Sequence, residues 1–242
     1  MSLTSHHKRY KSSQLRKVRR YLWYAIGEIL LIFAGITLAL GFSNWNEERQ
    51  LRRLETMALA DIAANLHANA DAFNRHIKVD LEQIASCEHV LEALSQQTPW
   101  QDELATALYE CRWWTSPYLN YAAYESLKSR GTELISDPEL RYAILDLYEM
   151  DYAWLENDID KTLWNFQTAV IEPVFNRHVR AVESERFVPN DYRSLLGSEE
   201  FANMLHMKLD YQRTSVSGQR SILDKTDKVI RLIDARLSQQ AH

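Results

Sequence analysis

The stretch "AIGEILLIFAGITLALGFSNW", residues 25–45, determines how the rest of the chain is interpreted. Residues 21–42 contain a single formal charge, that of Glu28. In helical form this length measures about 33 Å, enough to cross a hydrocarbon core of about 30 Å. Aromatic residues mark both ends, as in a membrane-interface belt: Tyr21, Trp23, Tyr24 and Trp45. The sequence therefore predicts a transmembrane helix over residues 21–43.

A cleaved signal peptide is the alternative interpretation of the same stretch. Residues 39–41, Ala-Leu-Gly, resemble a small-x-small cleavage site, and the preceding segment is basic. Three features favour an uncleaved anchor instead. The basic segment is long, the apolar stretch exceeds the usual core of a signal peptide, and a helical pattern continues beyond it.

Charge is distributed unevenly on the two sides of the predicted span. Residues 1–20 contain seven Lys and Arg and no acidic residue, which leaves a net charge of −11 on residues 43–242. The positive-inside rule places the basic tail in the cytoplasm and residues 44–242 outside, in the periplasm if the membrane is a bacterial inner membrane. Contact with anionic lipid head groups is a second use of the tail. The acidic balance of the large region disfavours nucleic-acid binding.

A helical pattern of apolar residues continues from residue 51 to residue 94. The mean spacing is close to the 3.6 residues of a helical turn, and neither Pro nor Gly interrupts the run. The pattern predicts one long amphipathic helix that continues directly from the span. Asn69 and Glu88 are its two polar exceptions.

Capping residues divide the chain that follows. We expect Thr98 to be the N-cap, and Pro99 the first residue, of a short helix that reaches about Trp114. Gly131 suits the left-handed position after the next helix. Asp137 is a good N-cap for another helix, since a proline follows it.

The C-terminal half is predicted to be helical as well. Pro173 interrupts or kinks a helix, residues 188–198 form a loop with one short helical turn, and the last helix runs over residues 198–239. There is almost no β signal. The predicted fold class is all-α: a single transmembrane helix that continues into an elongated antiparallel helical bundle, with the first and last helices forming a stalk below a head.

Three motifs carry a family resemblance: "YAIGE" at residues 24–28, "NWNE" at residues 44–47 and "YESLKSRG" at residues 124–131. Together they resemble a bacterial family of single-span membrane proteins known only as domain-of-unknown-function family 6090. The resemblance extends over nearly the whole chain. It implies the architecture and no particular activity. The chain departs from the family pattern at Phe42 and Ser43, where the family is more polar.

Cys87 and Cys111 are the only cysteines. Each lies on an apolar stripe, and they are 11 and 13 residues from a turn near Thr98, so a tight hairpin would bring them to a similar height. An oxidising compartment favours a disulfide between them, and two buried free thiols are the alternative. A metal site with His89 is not expected, because a fourth ligand is missing and the spacing matches no zinc motif.

Aromatic residues concentrate in a short segment: Tyr109, Trp113, Trp114, Tyr118, Tyr121 and Tyr124. Such a cluster is either hydrophobic core or the wall of a ligand pocket or partner surface. We predict mainly core. The candidate distal surface consists of Trp113, Trp114, Tyr118, Tyr121 and Tyr124. No nucleotide-binding, serine-hydrolase or zinc-protease motif is present, and we expect no catalytic activity, cofactor or metal.

Glu28 is the unusual residue of the span. On insertion scales, a charged side chain at the centre of the bilayer costs about 3 kcal/mol, and the cost falls towards the interface. Glu28 therefore snorkels to the head groups, faces a partner helix, or has a proton-coupled role. Gly27, Gly35 and Ala39 share one helix face that would allow close helix approach. The candidate helix contact consists of Gly27, Glu28, Gly35 and Ala39.

These features favour a membrane-anchored structural or interaction protein without catalytic activity. Its expected partners are membrane lipid and either further copies of itself or another membrane protein, as a homo-oligomer or an accessory subunit. One alternative is a periplasmic ligand sensor for an unknown small molecule, although the short basic tail has no room for an output domain. The other is an ion-coupled motor-type subunit that uses Glu28, an idea based on architecture alone.

Overall fold

The computed structural model describes the backbone of residues 6–240 and the side chains of residues 22–240. The chain divides into two units, Met1–Leu54 and Glu55–His242. The side chains of the basic tail predicted over residues 1–20 lie outside the described residues. The second unit begins at Glu55, twelve residues after the predicted end of the span at residue 43.

Helices make up most of the described chain, which confirms the all-α prediction in its coarse form. In chain order they are α1 (His6–Ser95), α2 (Glu103–Arg112), α3 (Ala122–Arg130), α4 (Pro138–Asp146), α5 (Lys161–Phe166), α6 (Glu172–His178), α7 (Tyr192–Leu196) and α8 (Glu199–Gln240). A 3₁₀ turn, Thr132–Leu134, follows α3. Two strands, β1 (Val179–Glu183) and β2 (Arg186–Pro189), form an antiparallel hairpin.

In the first unit, α1 has no buried side chain over residues 22–54. Its apolar side chains are exposed throughout, including Leu31 and Phe33. By length and composition this part of α1 is apolar enough to cross a membrane. A surface of this kind is unfavourable in water, and it suits a surrounding of lipid tails or of other apolar helices.

In the second unit, α1 buries the face that the helical spacing predicts. Ile62, Leu66, Phe73 and Ile77 are buried at intervals of four or seven residues. Farther along, Leu81 is exposed and its neighbour Asp80 is buried instead. The predicted stripe is therefore displaced by one residue in this region.

Helix α8 provides the reason for that displacement. It runs antiparallel to α1, and the side chain of Gln219 donates to Asp80 Oδ2 at 2.8 Å. Seven residues earlier on α8, Gln212 donates to Gln83 Oε1, also at 2.8 Å. Each of these buried polar side chains thus has at least one hydrogen-bond partner, which reduces the cost of burying it, although Asp80 Oδ1 and the Oε1 atoms of Gln212 and Gln219 have none among the described residues.

Glu55, the first residue of the second unit, forms hydrogen bonds with two other segments of that unit. Its side chain is 2% exposed. The carboxylate accepts from the backbone N–H and the hydroxyl of Ser136, at 2.9 and 2.8 Å, and from Gln240 at 2.8 Å. Arg236 lies 3.5 Å away as its ion-pair partner. One carboxylate thus joins α1, the segment before α4 and the end of α8.

The predicted cap at Asp137 is confirmed, the predicted cap at Thr98 is wrong, and Gly131 ends its helix as predicted but with ψ 127°, outside the left-handed helical region. Asp137 accepts from the backbone N–H groups of Glu139 and Leu140 at the start of α4. Gly131 ends α3 with φ +100°, which a residue with a side chain rarely adopts. Thr98 does not cap a helix, because α2 begins only at Glu103, and the Thr98 carbonyl instead accepts from Tyr192 Oη at 2.6 Å.

The segment from α4 to α6 contains turns of wider helix. π-helical turns occur at Leu147–Tyr152, Leu155–Asp160 and Gln167–Ile171. Pro173 lies in the first turn of α6, directly after the last of these, and the chain stays helical up to it. Proline has no N–H to continue the hydrogen-bond ladder at that point, which is where the wider helical turn gives way to α-helix. The predicted interruption at Pro173 is therefore a change of helix type.

The β hairpin is a correction to the prediction of almost no strand. Glu185 has a positive φ of 60° at the turn between β1 and β2. On β2, Phe187 is buried against Tyr109 of α2, with ring centroids 5.5 Å apart. The strands are short, and β1 is exposed apart from Val179. Packing on α2 therefore stabilises a hairpin that strand periodicity does not reveal.

Candidate functional site

The candidate helix-contact residues all lie on the exposed part of α1. A methyl group added at Gly27 or Gly35 would meet no atom within 4 Å. Ala39 and Glu28 are exposed too, and no described residue forms a hydrogen bond or ion pair with Glu28. The face is open to lipid or to another helix, and the contact remains a prediction.

The structure brings the two cysteines together inside the second unit. Cys87 on α1 and Cys111 on α2 are both fully buried, and Cys87 Sγ lies 4.0 Å from the Cys111 carbonyl oxygen. Both are free thiols in the structure. Burial raises the pKa of the Cys111 thiol, while its hydrogen bond to Cys87 lowers the pKa of Cys87. The turn between α1 and α2 brings the two cysteines to a similar height, as predicted, and the disulfide remains a prediction.

A lysine that sequence reasoning missed lies beside these thiols. Lys208 of α8 is 1% exposed, and its Nζ donates to the carbonyl oxygen of Trp113 at 2.7 Å. Trp113 is the C-cap of α2, so the ammonium group binds a carbonyl that the helix leaves unpaired. Burial lowers the pKa of Lys208, and the nearby Asp80 acts in the opposite direction. No periodicity rule predicts a lysine on a buried face.

The aromatic cluster separates into a buried part and a surface part. Tyr124 is 2% exposed and stacks on Tyr148, with ring centroids 4.3 Å apart. Its hydroxyl donates to Glu149 at 2.6 Å, and burial raises the pKa of this tyrosine. Trp113 is 40% exposed and Tyr118 is 96% exposed. The predicted core role therefore fits Tyr124, and the predicted surface role fits Trp113 and Tyr118.

A cavity of about 720 Å³ lies where the surface part begins. Three other cavities of the second unit are smaller, at about 500, 450 and 280 Å³. The walls of the 720 Å³ cavity come from α1, from the segment after α2 and from the π-helical turn before α5. The lining residues are His76, Trp114, Thr115, Ser116, Pro117, Tyr118, Leu119, Tyr121, Glu156 and Asp160. Three of the five predicted surface aromatics are thus brought together in one wall.

Two carboxylates face these rings. Tyr121 Oη donates to Glu156 Oε1 at 2.9 Å, and the Ser116 hydroxyl donates to Asp160 Oδ2. Burial raises the pKa of Asp160, and the Ser116 hydrogen bond acts in the opposite direction. Burial and the hydrogen bond to Glu156 raise the pKa of Tyr121, which keeps its hydroxyl protonated as a donor.

Several polar atoms of the cavity wall have no hydrogen-bond partner among the described residues. They are His76 Nδ1, Trp114 Nε1 and Thr115 Oγ1, and each of these atoms is buried. Burial lowers the pKa of His76, with a smaller effect in the same direction from Arg75. A buried polar atom without a partner destabilises a fold by about 1 to 3 kcal/mol. Water or a ligand is needed to satisfy them.

Sequence reasoning missed the acidic half of this cavity. Glu156 and Asp160 lie more than thirty residues after the aromatic segment, so only the tertiary fold joins the two. Their one signal in the sequence is a spacing of four, which places two carboxylates on one helix face. His76 gave no signal at all, since it lies on α1 among residues with the amphipathic pattern.

Within the described residues there is no group of three or more His, Cys, Asp or Glu side chains placed to hold a metal ion. No protein-family model matches the sequence. Comparison with curated proteins finds no similar sequence, and comparison with solved structures finds no similar chain. The site is therefore interpreted from its own geometry.

Proposed function

We propose that this chain is a membrane-anchored helical protein that acts as a structural or interaction subunit outside the cytoplasm. One observation carries the proposal: every described side chain of residues 22–42 is exposed, and nearly all are apolar. Burying one large apolar side chain is worth about 1.5 to 3 kcal/mol, so leaving so many in water would be strongly unfavourable. Lipid is the medium that suits them.

The orientation rests on charge. The tail of residues 1–20 carries seven basic residues, and the region after the span is acidic. Under the positive-inside rule this places the Glu55–His242 unit in the periplasm of a bacterial inner membrane. There its helices would form an elongated antiparallel bundle. The resemblance to domain-of-unknown-function family 6090 belongs to the same proposal, because it implies the same single-span architecture.

Association through the span supports the role as a subunit. Gly27, Gly35 and Ala39 place small residues on the helix face that also carries Leu31, and a second helix could approach closely at those small residues. Glu28 adjoins that face and would bond across the helix pair. The proposed partner is another copy of the chain or a second membrane protein.

A second candidate function, ligand sensing, is favoured by the cavity at Trp114 and Asp160. A sensor of this architecture would pass its signal through a partner. The two functions are compatible, since a subunit that associates through its span keeps this cavity free for a ligand.

A reporter fusion tests the anchor and its orientation together. An alkaline phosphatase fused after His242 should be active in intact cells, and a fluorescent protein that matures only in the cytoplasm should be dark at the same position. The fusion should stay in the membrane pellet after alkaline carbonate extraction. Phosphatase activity in that pellet supports the proposal. Cytoplasmic fluorescence, or release of the fusion by carbonate, would overturn it.

A further inference from the structure

The cavity of the second unit combines aromatic rings with carboxylates, and its lining contains neither Lys nor Arg. We propose that it binds a small organic cation, an ammonium compound whose charge lies against Glu156 and Asp160. The methyl or methylene groups around that charge would lie against the rings of Trp114, Tyr118 and Tyr121. This inference goes beyond the proposed function, and it holds on whichever side of the membrane the unit lies.

The carboxylates supply the first argument. Each accepts a hydrogen bond from a neutral hydroxyl, Glu156 from Tyr121 and Asp160 from Ser116. Among the described residues, no Lys, Arg or His forms an ion pair with either carboxylate. Two negative groups that share a cavity without a counter-ion create a potential that attracts a cation and repels an anion.

The aromatic rings supply the second argument. Tyr118 is 96% exposed although it lines the cavity, so its ring borders the opening and packs against almost nothing. Trp114 lies deeper, with its ring 6.5 Å from that of Trp164. The faces of such rings attract ammonium groups, and quaternary ammonium ions are bound by aromatic cages of this composition.

Size and polarity favour an organic cation over a metal ion. Ligand cavities typically measure about 300 to 1,000 Å³, and this one measures about 720 Å³. The described residues hold no cluster of three metal-ligating side chains. Trp114 and Thr115, which line the cavity, also carry buried donor atoms without a partner among the described residues.

The test uses isothermal titration of the full chain in detergent micelles at neutral pH, with choline and spermidine as probes. At least one probe should bind with a dissociation constant of about 1 mM or tighter. The neutral compound 3,3-dimethylbutan-1-ol has the shape of choline without its charge, and it should bind at least tenfold more weakly (~1.4 kcal/mol). Binding should also weaken as salt is added, because the attraction is electrostatic.

Two variants identify the site. Tyr118→Ala removes an exposed ring at little expected cost to folding, and it should weaken binding by about 3- to 30-fold. Asp160→Asn keeps an oxygen to accept from Ser116 and should weaken binding by about tenfold or more.

The matched controls are Tyr142→Ala, another exposed tyrosine, and Asp158→Asn, an exposed acid two residues from Asp160. Both lie outside the cavity lining and should leave binding unchanged. Each of three results would overturn the proposal: neither probe binds, choline and its neutral analogue bind equally, or a control variant weakens binding as much as Asp160→Asn.

Discussion

The two units of this chain arrange polar and apolar side chains in opposite ways. In residues 22–54 the large apolar side chains are exposed, whereas in the Glu55–His242 unit ten polar or charged side chains are buried. Helix α1 passes through both units, so one helix carries two different patterns of exposed side chains. The contrast teaches that the medium around a helix, and not its helicity, decides which side chains it can expose.

The buried polar groups are stable because most of them are paired. Asn69, a polar exception on the predicted stripe, accepts from the backbone N–H of Asn120 at 2.7 Å and donates to its carbonyl at 3.2 Å. Glu88, the other exception, is exposed and forms an ion pair with Arg213 of α8. Each exception therefore fixes a neighbouring element in place, in one case from inside the unit and in the other from its surface.

The largest effect is expected from removing a buried charge. Glu55→Ala should lower the free energy of unfolding by about 3 kcal/mol, because Arg236, Ser136 and Gln240 all lose their common acceptor. Urea denaturation of the full chain in detergent, followed by circular dichroism, measures the change. Glu82→Ala is the control on the same helix, since Glu82 is exposed and pairs with the exposed Lys78. Equal losses in the two variants would show that burial of Glu55 is unimportant.

The cysteine pair tests which compartment surrounds the second unit. If that compartment is oxidising, peptide mapping without reductant should find Cys87 joined to Cys111. Closing a loop of this length should add roughly 3 kcal/mol to the free energy of unfolding, compared with the reduced protein. Rapid labelling of both thiols in the folded, unreduced protein would contradict the bond and the extracytoplasmic location together.

The buried carboxyl of Asp80 should make the stability of the fold depend on pH. Desolvation raises its pKa from 3.8 to about 6, against the opposing effects of the Gln219 hydrogen bond and of Lys208. The folded state therefore binds more protons than the unfolded state in this window, and stability falls as pH rises from about 4 to about 7. Asp80→Asn keeps an acceptor for Gln219 and should remove about 2 to 3 kcal/mol of this pH dependence. Unfolding midpoints measured across the window should separate the two proteins, and parallel curves would exclude the effect.

The smallest effect, on assembly, is expected from substitutions in the Met1–Leu54 unit. If the Gly35 face packs against another helix, Gly35→Leu should weaken assembly by about 1 to 2 kcal/mol, and Glu28→Gln should weaken it less because the amide still forms hydrogen bonds. Glu28→Leu should be intermediate. Complex mass in mild detergent measures all three. Assembly of all three like the parent chain would identify the face as lipid-facing surface.

Local signals allowed part of this structure to be predicted. The end of α1, the cap at Asp137 and the extent of α8 follow from spacing and from cap chemistry within a few residues. The start of α2 does not, because the Tyr192 hydroxyl binds the Thr98 carbonyl from nearly a hundred residues away. Contacts over such distances leave no trace in a local pattern.

The candidate site also contains both residues that the sequence could predict and residues that it could not. The aromatic half was visible as a dense run of rings around Tyr118, and the cysteine register followed from counting residues to a turn. The acidic half and Lys208 were not visible, since each depends on which helix packs against which. The hairpin of β1 and β2 was missed for the same reason, because it is supported by packing against α2 and α6.

Two exposed apolar residues of α1, Leu31 and Val79, allow the most direct test of the contrast between the units. A spin label is placed at each in turn, in a chain whose two native cysteines are replaced by alanine, and the protein is reconstituted in lipid vesicles. The label at residue 31 should be relaxed by oxygen and hardly by a water-soluble nickel complex. The label at residue 79 should show the reverse. Strong relaxation of the label at residue 31 by the nickel complex would mean that water surrounds the span, which would contradict the membrane anchor.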